Sequence, residues 1–245
     1  MASFSTTATI ADPEISRDDH SALPPIRDGG DDGRGSAPDY GTRLRRARLG
    51  LLVMLVPVLM LFVSFTSAYV VRQGLPTLDP RTNNLIRDWI PVALPRLLLL
   101  NTLVLLISSV SMELARRQLR SQVALADSSS VPADSLGSKV IIPWLALTLV
   151  LGLAFLFGQW TAWQQLAANG FYVATTPSSS FVYLLTGAHA AHLLGGVLAL
   201  FIAGVASLLH RSLKTRSIVV DVTAWYWHFM AVLWIYIFCL MKFVR

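Results

Sequence analysis

The sequence SSSFVYLLTGAHAAHLLGGVLALFIAGVASLL, residues 178–209, decides the fold class of this chain. It is apolar over more than the roughly 20 residues that a helix needs to cross the hydrocarbon core of a bilayer. Small residues recur at every fourth position, and a helix places such residues on one face. In lipid, a face of this kind predicts close packing against another helix. We call it the small-residue strip, and it consists of Gly187, Ala191, Gly195, Ala199 and Ala203.

Two histidines, His189 and His192, lie three residues apart near one end of this strip. Neutral imidazole binds iron, copper and zinc, so a metal or haem site is one interpretation. The third histidine of the apolar segments, His228, is expected roughly 20 Å or more away along the membrane normal. Intramembrane Asp, Glu or Cys partners are scarce, so we favour interhelical hydrogen bonds or contacts to a partner or to lipid.

The composition is that of a protein that crosses the membrane several times. The chain has 245 residues, of which 14% are charged, and a mean hydropathy of +0.56. The formal net charge is +6, with basic residues in the tails and loops, which indicates anionic lipid headgroups rather than nucleic acid. The single cysteine, Cys239, can form no disulfide within the chain. We see no secretory signal, so the first apolar segment is expected to remain as a membrane anchor.

Five apolar segments predict an all-α bundle of five transmembrane helices, because the alternation typical of a membrane barrel is absent. The predicted helices span about residues 49–71, 92–114, 140–163, 180–209 and 222–243. Residues 1–48 form a polar tail that we predict to be disordered, and residues 49–245 form the membrane domain. The tail ends in a basic group, Arg43, Arg45, Arg46 and Arg48. Lysines and arginines are more frequent on the side of this group, which predicts a cytoplasmic N-terminus and an external C-terminus.

Two acidic residues lie at the ends of predicted helices. Glu113 ends the second helix, and a proton-relay role is one interpretation of it. We favour an interfacial charge paired with Arg116 and Arg117 at positions i+3 and i+4. Asp221 precedes the fifth helix, where it is predicted to cap the helix and meet the positive end of its dipole.

The segment AWYWHF, residues 224–229, is the densest aromatic cluster of the chain. Aromatic belts at bilayer interfaces account for most of the aromatic residues that flank the helices. This segment is denser than a belt requires, and it carries a histidine. We therefore predict a lipid-binding or subunit-docking surface at Trp225, Tyr226, Trp227 and His228.

Several motifs together resemble subunit III of the haem–copper (cytochrome c) oxidases, in the five-helix bacterial type. TGAHAAHLLGG (186–196) is similar to the G-x-H-x-x-H segment of that family, and AWYWHFMAVLW (224–234) to its W-Y-W-H-F-V-D-x-x-W segment. LPRLLLLNTLVLLISSVSMELARR (94–117) resembles its L-P-x-L-N-T helix. SFTSAYVVRQG (64–74) and GQWTAWQQL (158–166) look like forms found in bacterial members. The motifs occur in the family's order and cover nearly everything outside the tail.

The resemblance implies a non-catalytic subunit of the bacterial plasma membrane that carries no haem and no copper. It would pack on subunit I, support proton uptake and stability there, and bind structural phospholipids, while the complex passes electrons from cytochrome c to oxygen. Asp221 stands where the family often has glutamate, and the three membrane histidines match. The family's usual acids are absent near Pro57 and at Ala231, so roles of those carboxylates are not carried over.

Other functions remain open at this stage. The chain resembles the subunit-III-like partner of a nitric oxide reductase. A quinol oxidase is also compatible with the sequence, because the electron donor is recognised by other subunits. A membrane haem protein that passes electrons itself is a further alternative, and it predicts a Soret band for the purified chain. A transporter would predict an inverted repeat or paired broken helices, and the sequence has neither.

Overall fold

A computed structural model describes residues 39–78, 84–86, 89, 95–128, 138–209 and 212–244. The predicted disordered tail up to residue 38 and the predicted start of the second helix at residues 92–94 lie outside these ranges. Residues Asp39–Arg245 form one compact unit. Five helices in the described part of the chain are long and apolar enough to cross a membrane, which confirms the predicted fold class.

The helices are α1 (Tyr40–Gly74), α2 (Leu97–Ser128), α3 (Ser138–Ala168), α4 (Pro177–Leu208) and α5 (Leu213–Phe243). In the connection between α1 and α2, two antiparallel strands of two residues each pair as β1 (Thr77–Leu78) and β2 (Leu85–Ile86). Pro57 lies inside α1, as predicted, and Pro143 lies inside α3.

Helix α5 is the most buried of the five. Helices α2, α3, α4 and α5 form a ring in which each packs against its two neighbours, and α1 packs outside the ring against α4 and α5. Two tryptophans of α5, Trp227 and Trp234, are fully buried and fill the centre of the ring. The chain therefore folds as a four-helix bundle with one peripheral helix.

Helices α1, α2 and α5 continue far beyond their predicted bounds, because they extend past the apolar segments into polar sequence. Helix α1 begins at Tyr40, so the basic group Arg43–Arg48 lies in a helix and not in the tail. Helix α2 continues beyond Glu113 to Ser128, and α5 begins at Leu213, ahead of Asp221. The hydropathy pattern marks only the membrane-embedded part of a helix, whereas these extensions contain no internal proline or glycine that would end one, apart from Gly41 at the start of α1.

The first turn of α4 is fixed by a capping box. The Thr176 side chain accepts a hydrogen bond from the Ser179 amide, and the Ser179 side chain accepts one from the Thr176 amide. Pro177 occupies the first helical turn, where its missing N–H costs nothing. These contacts fix the N-terminus of α4, the helix that carries the small-residue strip.

Candidate functional site

Asp221 lies about two turns inside α5 and is only 1% exposed. Its carboxylate accepts a hydrogen bond from Arg48 of α1, with Nε 2.8 Å from Oδ2, and another from Arg120 of α2. Arg116 of α2 lies 3.8 Å away. The predicted capping role is wrong, because α5 begins at Leu213 and the carboxylate lies too deep to meet its first amides. We call these four residues the Asp221 junction, since one carboxylate joins three helices.

A buried carboxylate is stable only when it is paired and hydrogen-bonded, and the Asp221 junction meets this requirement with three arginines. Arg48 and Arg120 are partly exposed, so their positive charges also reach the surface of the bundle. Tyr40 adds a second contact between α1 and α5 there, with its hydroxyl 3.0 Å from that of Ser217. The junction holds the peripheral helix at this end of the bundle.

Glu113 forms a second charged group on the neighbouring turn of α2. Its carboxylate lies 2.8 Å from Arg116 Nε and 2.9 Å from Arg117 Nε, which confirms the predicted i+3 and i+4 pairs. His228 of α5 adds its Nε2 at 3.3 Å, and its Nδ1 lies 2.6 Å from the Ser109 hydroxyl. Sequence reasoning missed His228 as a partner, because this contact depends on the packing of α2 against α5.

The membrane histidines occupy three separate environments. His189 is fully buried between the rings of Phe155 and Trp234, and its nitrogens contact no hydrogen-bond partner among the described residues. His192 lies against Phe62 of α1, with Nδ1 2.7 Å from its own helix at the Ala188 carbonyl. His228 instead faces Glu113. The part of the chain that the structure describes holds no group of three or more His, Cys, Asp or Glu side chains that could bind a metal.

The small-residue strip is partly covered by the chain itself. Ala203 is buried and Gly187 and Ala199 are half-buried, whereas Ala191 and Gly195 are exposed. A Cβ atom added to Gly195 would lie 3.8 Å from the Tyr226 hydroxyl, which is an ordinary contact distance. The middle of the strip is therefore a free surface, on which a further helix could pack.

Among the glycines that the structure describes, three leave the least space for a Cβ atom: Gly152 and Gly158 of α3 and Gly196 of α4. A Cβ at Gly152 would lie 2.7 Å from the Trp227 ring, and one at Gly196 would lie 2.9 Å from the Tyr226 ring. At Gly158 it would overlap the side-chain amide of Asn101. The search for small residues at every fourth position missed these three glycines, because each of them faces a single side chain of another helix and not a second row of small residues.

The aromatic segment 224–229 divides between the two sides of α5. Trp227 is fully buried and donates from Nε1 to the Ser108 hydroxyl at 3.1 Å. Tyr226 is buried and donates to the His192 carbonyl at 2.8 Å. Trp225 is 47% exposed. Of the predicted docking surface, Trp225 and part of His228 thus face outward, while Tyr226 and Trp227 belong to the core.

A row of hydrogen-bonded polar side chains between α2, α3 and α5 was not predicted as a site. Ser111 and Thr148 hydroxyls lie 2.8 Å apart, and Trp234 Nε1 donates to the Thr102 hydroxyl at 3.0 Å. Asn101 donates to the Phe155 carbonyl at 3.1 Å. The signal was available, because Asn101 and Ser108 share a buried face of α2 at a seven-residue spacing. In a membrane such hydrogen bonds join helices that no hydrophobic force brings together.

These features define a class of protein: a helical membrane bundle whose charged and polar groups pair with one another across the helices. The chain belongs to the cytochrome c oxidase subunit III family, since the profile of that family matches residues 42–244.

Individual relatives agree with this assignment. Probable cytochrome c oxidase subunit 3 of Mycobacterium leprae is 29% identical over 102 residues, which is 42% of this chain and 50% of that protein. Cytochrome c oxidase subunit 3 of Corynebacterium diphtheriae is 31% identical over the same shares. The wheat (Triticum aestivum) protein is 27% identical over 198 residues, which is 78% of this chain and 66% of that protein. The chain spans about half the length of the bacterial relatives it matches.

Proposed function

We propose that this chain is a non-catalytic subunit of a cytochrome c oxidase, in which it packs against subunit I and supports its stability and proton uptake. The observation that carries the proposal is the family match over residues 42–244, which covers all five helices. In this proposal haem and copper are bound by the partner subunits, and this chain binds neither.

The exposed middle of the small-residue strip supports a helix–helix interface with subunit I. Ala191 and Gly195 present little side chain, so the backbone of a partner helix can approach closely. Leu194 and Leu198 lie beside them and are also exposed. We place the principal contact of the complex on this face of α4.

The distribution of arginines supports a cytoplasmic N-terminus in the bacterial plasma membrane. Arg43, Arg45 and Arg46 are exposed at the start of α1, and Arg117 is exposed at the same end of the bundle beside the Asp221 junction. An excess of Lys and Arg near the membrane marks the cytoplasmic side. On this orientation α1, α3 and α5 begin inside.

The test is purification of the chain from native membranes in mild detergent, with identification of its partners and an optical spectrum. We expect oxidase subunits to co-purify, together with cytochrome c oxidase activity and haem bands that stay with the partners. A stoichiometric Soret band in the chain after its separation from them would contradict the proposal. Co-purification with nitric oxide reductase subunits instead would reassign the complex.

A further inference from the structure

His192 lies at the middle of α4, and three helices fix the orientation of its ring. Its Nδ1 lies 2.7 Å from the carbonyl oxygen of Ala188, one turn earlier in the same helix. A carbonyl oxygen can only accept, so Nδ1 carries a proton and donates this hydrogen bond. The ring packs edge-on against Phe62 of α1, with ring centroids 5.8 Å apart. The His192 carbonyl also accepts a hydrogen bond from the Tyr226 hydroxyl of α5, which holds the residue in place.

The other ring nitrogen of His192, Nε2, is a hydrogen-bond acceptor without a partner in the described part of the chain. A neutral imidazole that donates from Nδ1 keeps a lone pair on Nε2. The side chain is half-buried, and Nε2 reaches the surface of the bundle, where it makes no hydrogen bond to a described residue. His189 differs, because both of its nitrogens are enclosed in the core. The His192 acceptor is therefore open to a donor from outside the chain.

The depth of His192 in the membrane restricts what that donor can be. The residue lies 15 positions after Pro177 and 16 positions before Leu208, the two ends of α4, or roughly 22 Å and 24 Å along the helix axis. The hydrocarbon core is about 30 Å thick, so a shift of α4 by several ångströms still leaves Nε2 inside it. Water and lipid headgroups do not reach this depth, and acyl chains have no donor. The donor therefore comes from another protein helix.

The surface beside Nε2 gives a second helix room to approach. Ala191 and Gly195 are exposed, and Gly195 follows His192 by three residues, which makes the two neighbours on the helix surface. Small residues of this kind let the backbone of a packed helix come close, so that even a short side chain reaches the imidazole. A lysine or arginine is costly at the middle of the membrane, so the donor is an uncharged group.

We propose that Nε2 of His192 accepts a hydrogen bond from an uncharged side chain of a partner transmembrane helix, namely a hydroxyl, an amide or an indole N–H group. The helix is that of the oxidase subunit named under the proposed function, on which this assignment rests. Exposed small residues admit many helices, whereas this nitrogen selects one that carries a donor at the same depth. His192 is thus a residue that determines which partner helix docks.

The test compares His192→Phe with His192→Gln in tagged chains that are purified with their complex from native membranes in mild detergent. Phenylalanine keeps a ring against Phe62 but offers no acceptor. Partner recovery per tagged chain is expected to fall about fivefold, which corresponds to the loss of roughly 1 kcal/mol for one hydrogen bond between membrane helices. Glutamine offers an oxygen acceptor of similar reach, so His192→Gln should recover the partner nearly as well as the wild type. Val150→Phe, at an exposed position of α3, is the matched control and should behave like the wild type.

A second measurement keeps the proposal open to refutation if His192→Phe does not fold. In the wild-type complex labelled with 15N-histidine, the Nε2 resonance of His192 is identified by its loss in His192→Gln. It is expected at a lower chemical shift than that of an unprotonated imidazole nitrogen without a hydrogen bond.

Two results would overturn this assignment and leave the proposed function intact: wild-type partner recovery with His192→Phe, or an Nε2 resonance at the value of an imidazole nitrogen without a hydrogen bond. A wild-type chain that recovers no oxidase subunit would overturn both, so the two failures are distinguishable.

Discussion

At the scale of single residues, two of the closest contacts between helices depend on glycines that face aromatic rings. Gly196 lies against the ring of Tyr226, which is fixed by its hydrogen bond to the His192 carbonyl. The neighbouring Gly195 has space for a methyl group. Two adjacent glycines of one helix therefore differ in whether a larger side chain can replace them, although the sequence shows no difference between them.

Gly196→Ala is expected to destabilise the bundle by about 1–3 kcal/mol, because its methyl group would lie 2.9 Å from the Tyr226 ring and force a shift of the core. The measurement is the free energy of unfolding in mild detergent. Gly195→Ala is the matched control and should be neutral or stabilising by up to about 1 kcal/mol, from the higher helix propensity of alanine. Equal effects of the two variants would contradict the packing described for Gly196.

Asp221→Asn is expected to destabilise the chain by about 3 kcal/mol. Removing one partner of a buried ion pair costs roughly 3–5 kcal/mol, and Arg48 and Arg120 are partly exposed, which places the effect at the lower end. The measurement is unfolding in detergent, together with the yield of folded protein.

Glu113→Gln is the comparison for this variant, because Glu113 is more exposed and pairs mainly with arginines of its own helix. Surface ion pairs of this kind contribute roughly 0–1 kcal/mol to stability. We therefore expect Glu113→Gln to lower the free energy of unfolding much less than Asp221→Asn does. A loss for Glu113→Gln as large as that for Asp221→Asn would show that the Asp221 junction is not the main electrostatic contact between helices.

At the scale of elements, the sequence predicts the number and order of the helices but not their full length. Long apolar runs identify the membrane-spanning segments, because few structures other than a transmembrane helix accommodate so many consecutive apolar residues. The polar extensions give no such signal, so α5 was predicted to begin after Asp221 rather than at Leu213. The role predicted for Asp221 was wrong for the same reason. Its true partners, Arg48 and Arg120, are distant in sequence, and no local pattern joins them to it.

The exposed face of α4 gives a prediction about assembly. Gly195→Leu should keep the chain folded, because Gly195 is exposed and its Cβ would lie at an ordinary contact distance from the Tyr226 hydroxyl. It should reduce co-purification with the partner subunit at least fivefold. Gly50→Leu is the control, since a Cβ at this exposed position of α1 meets no atom within 4 Å. The measurement is the ratio of partner to tagged chain after mild-detergent purification. Wild-type recovery of the partner with Gly195→Leu would disprove the docking role of the strip.

At the scale of the whole molecule, orientation can be tested by labelling. With Cys239 replaced by alanine, a cysteine at Leu75, in the connection after α1, should react with a membrane-impermeant maleimide in intact cells. A cysteine at Ser212, ahead of α5, should react only after the membrane is permeabilised. Both positions are exposed, so access to the reagent depends on the side of the membrane. The reverse labelling pattern would invert the proposed topology.

The Asp221 junction also constrains the order in which the chain can mature during synthesis. Asp221 follows Arg120 by 101 residues and Arg48 by 173 residues. At about 5–20 residues per second, the ribosome supplies this carboxylate roughly 9–35 s after Arg48. Until then both arginines lack the carboxylate with which they pair in the finished bundle. A nascent or truncated product without α5 would leave Arg48 and Arg120 without this carboxylate, and α1 would lack its ionic contact with α5.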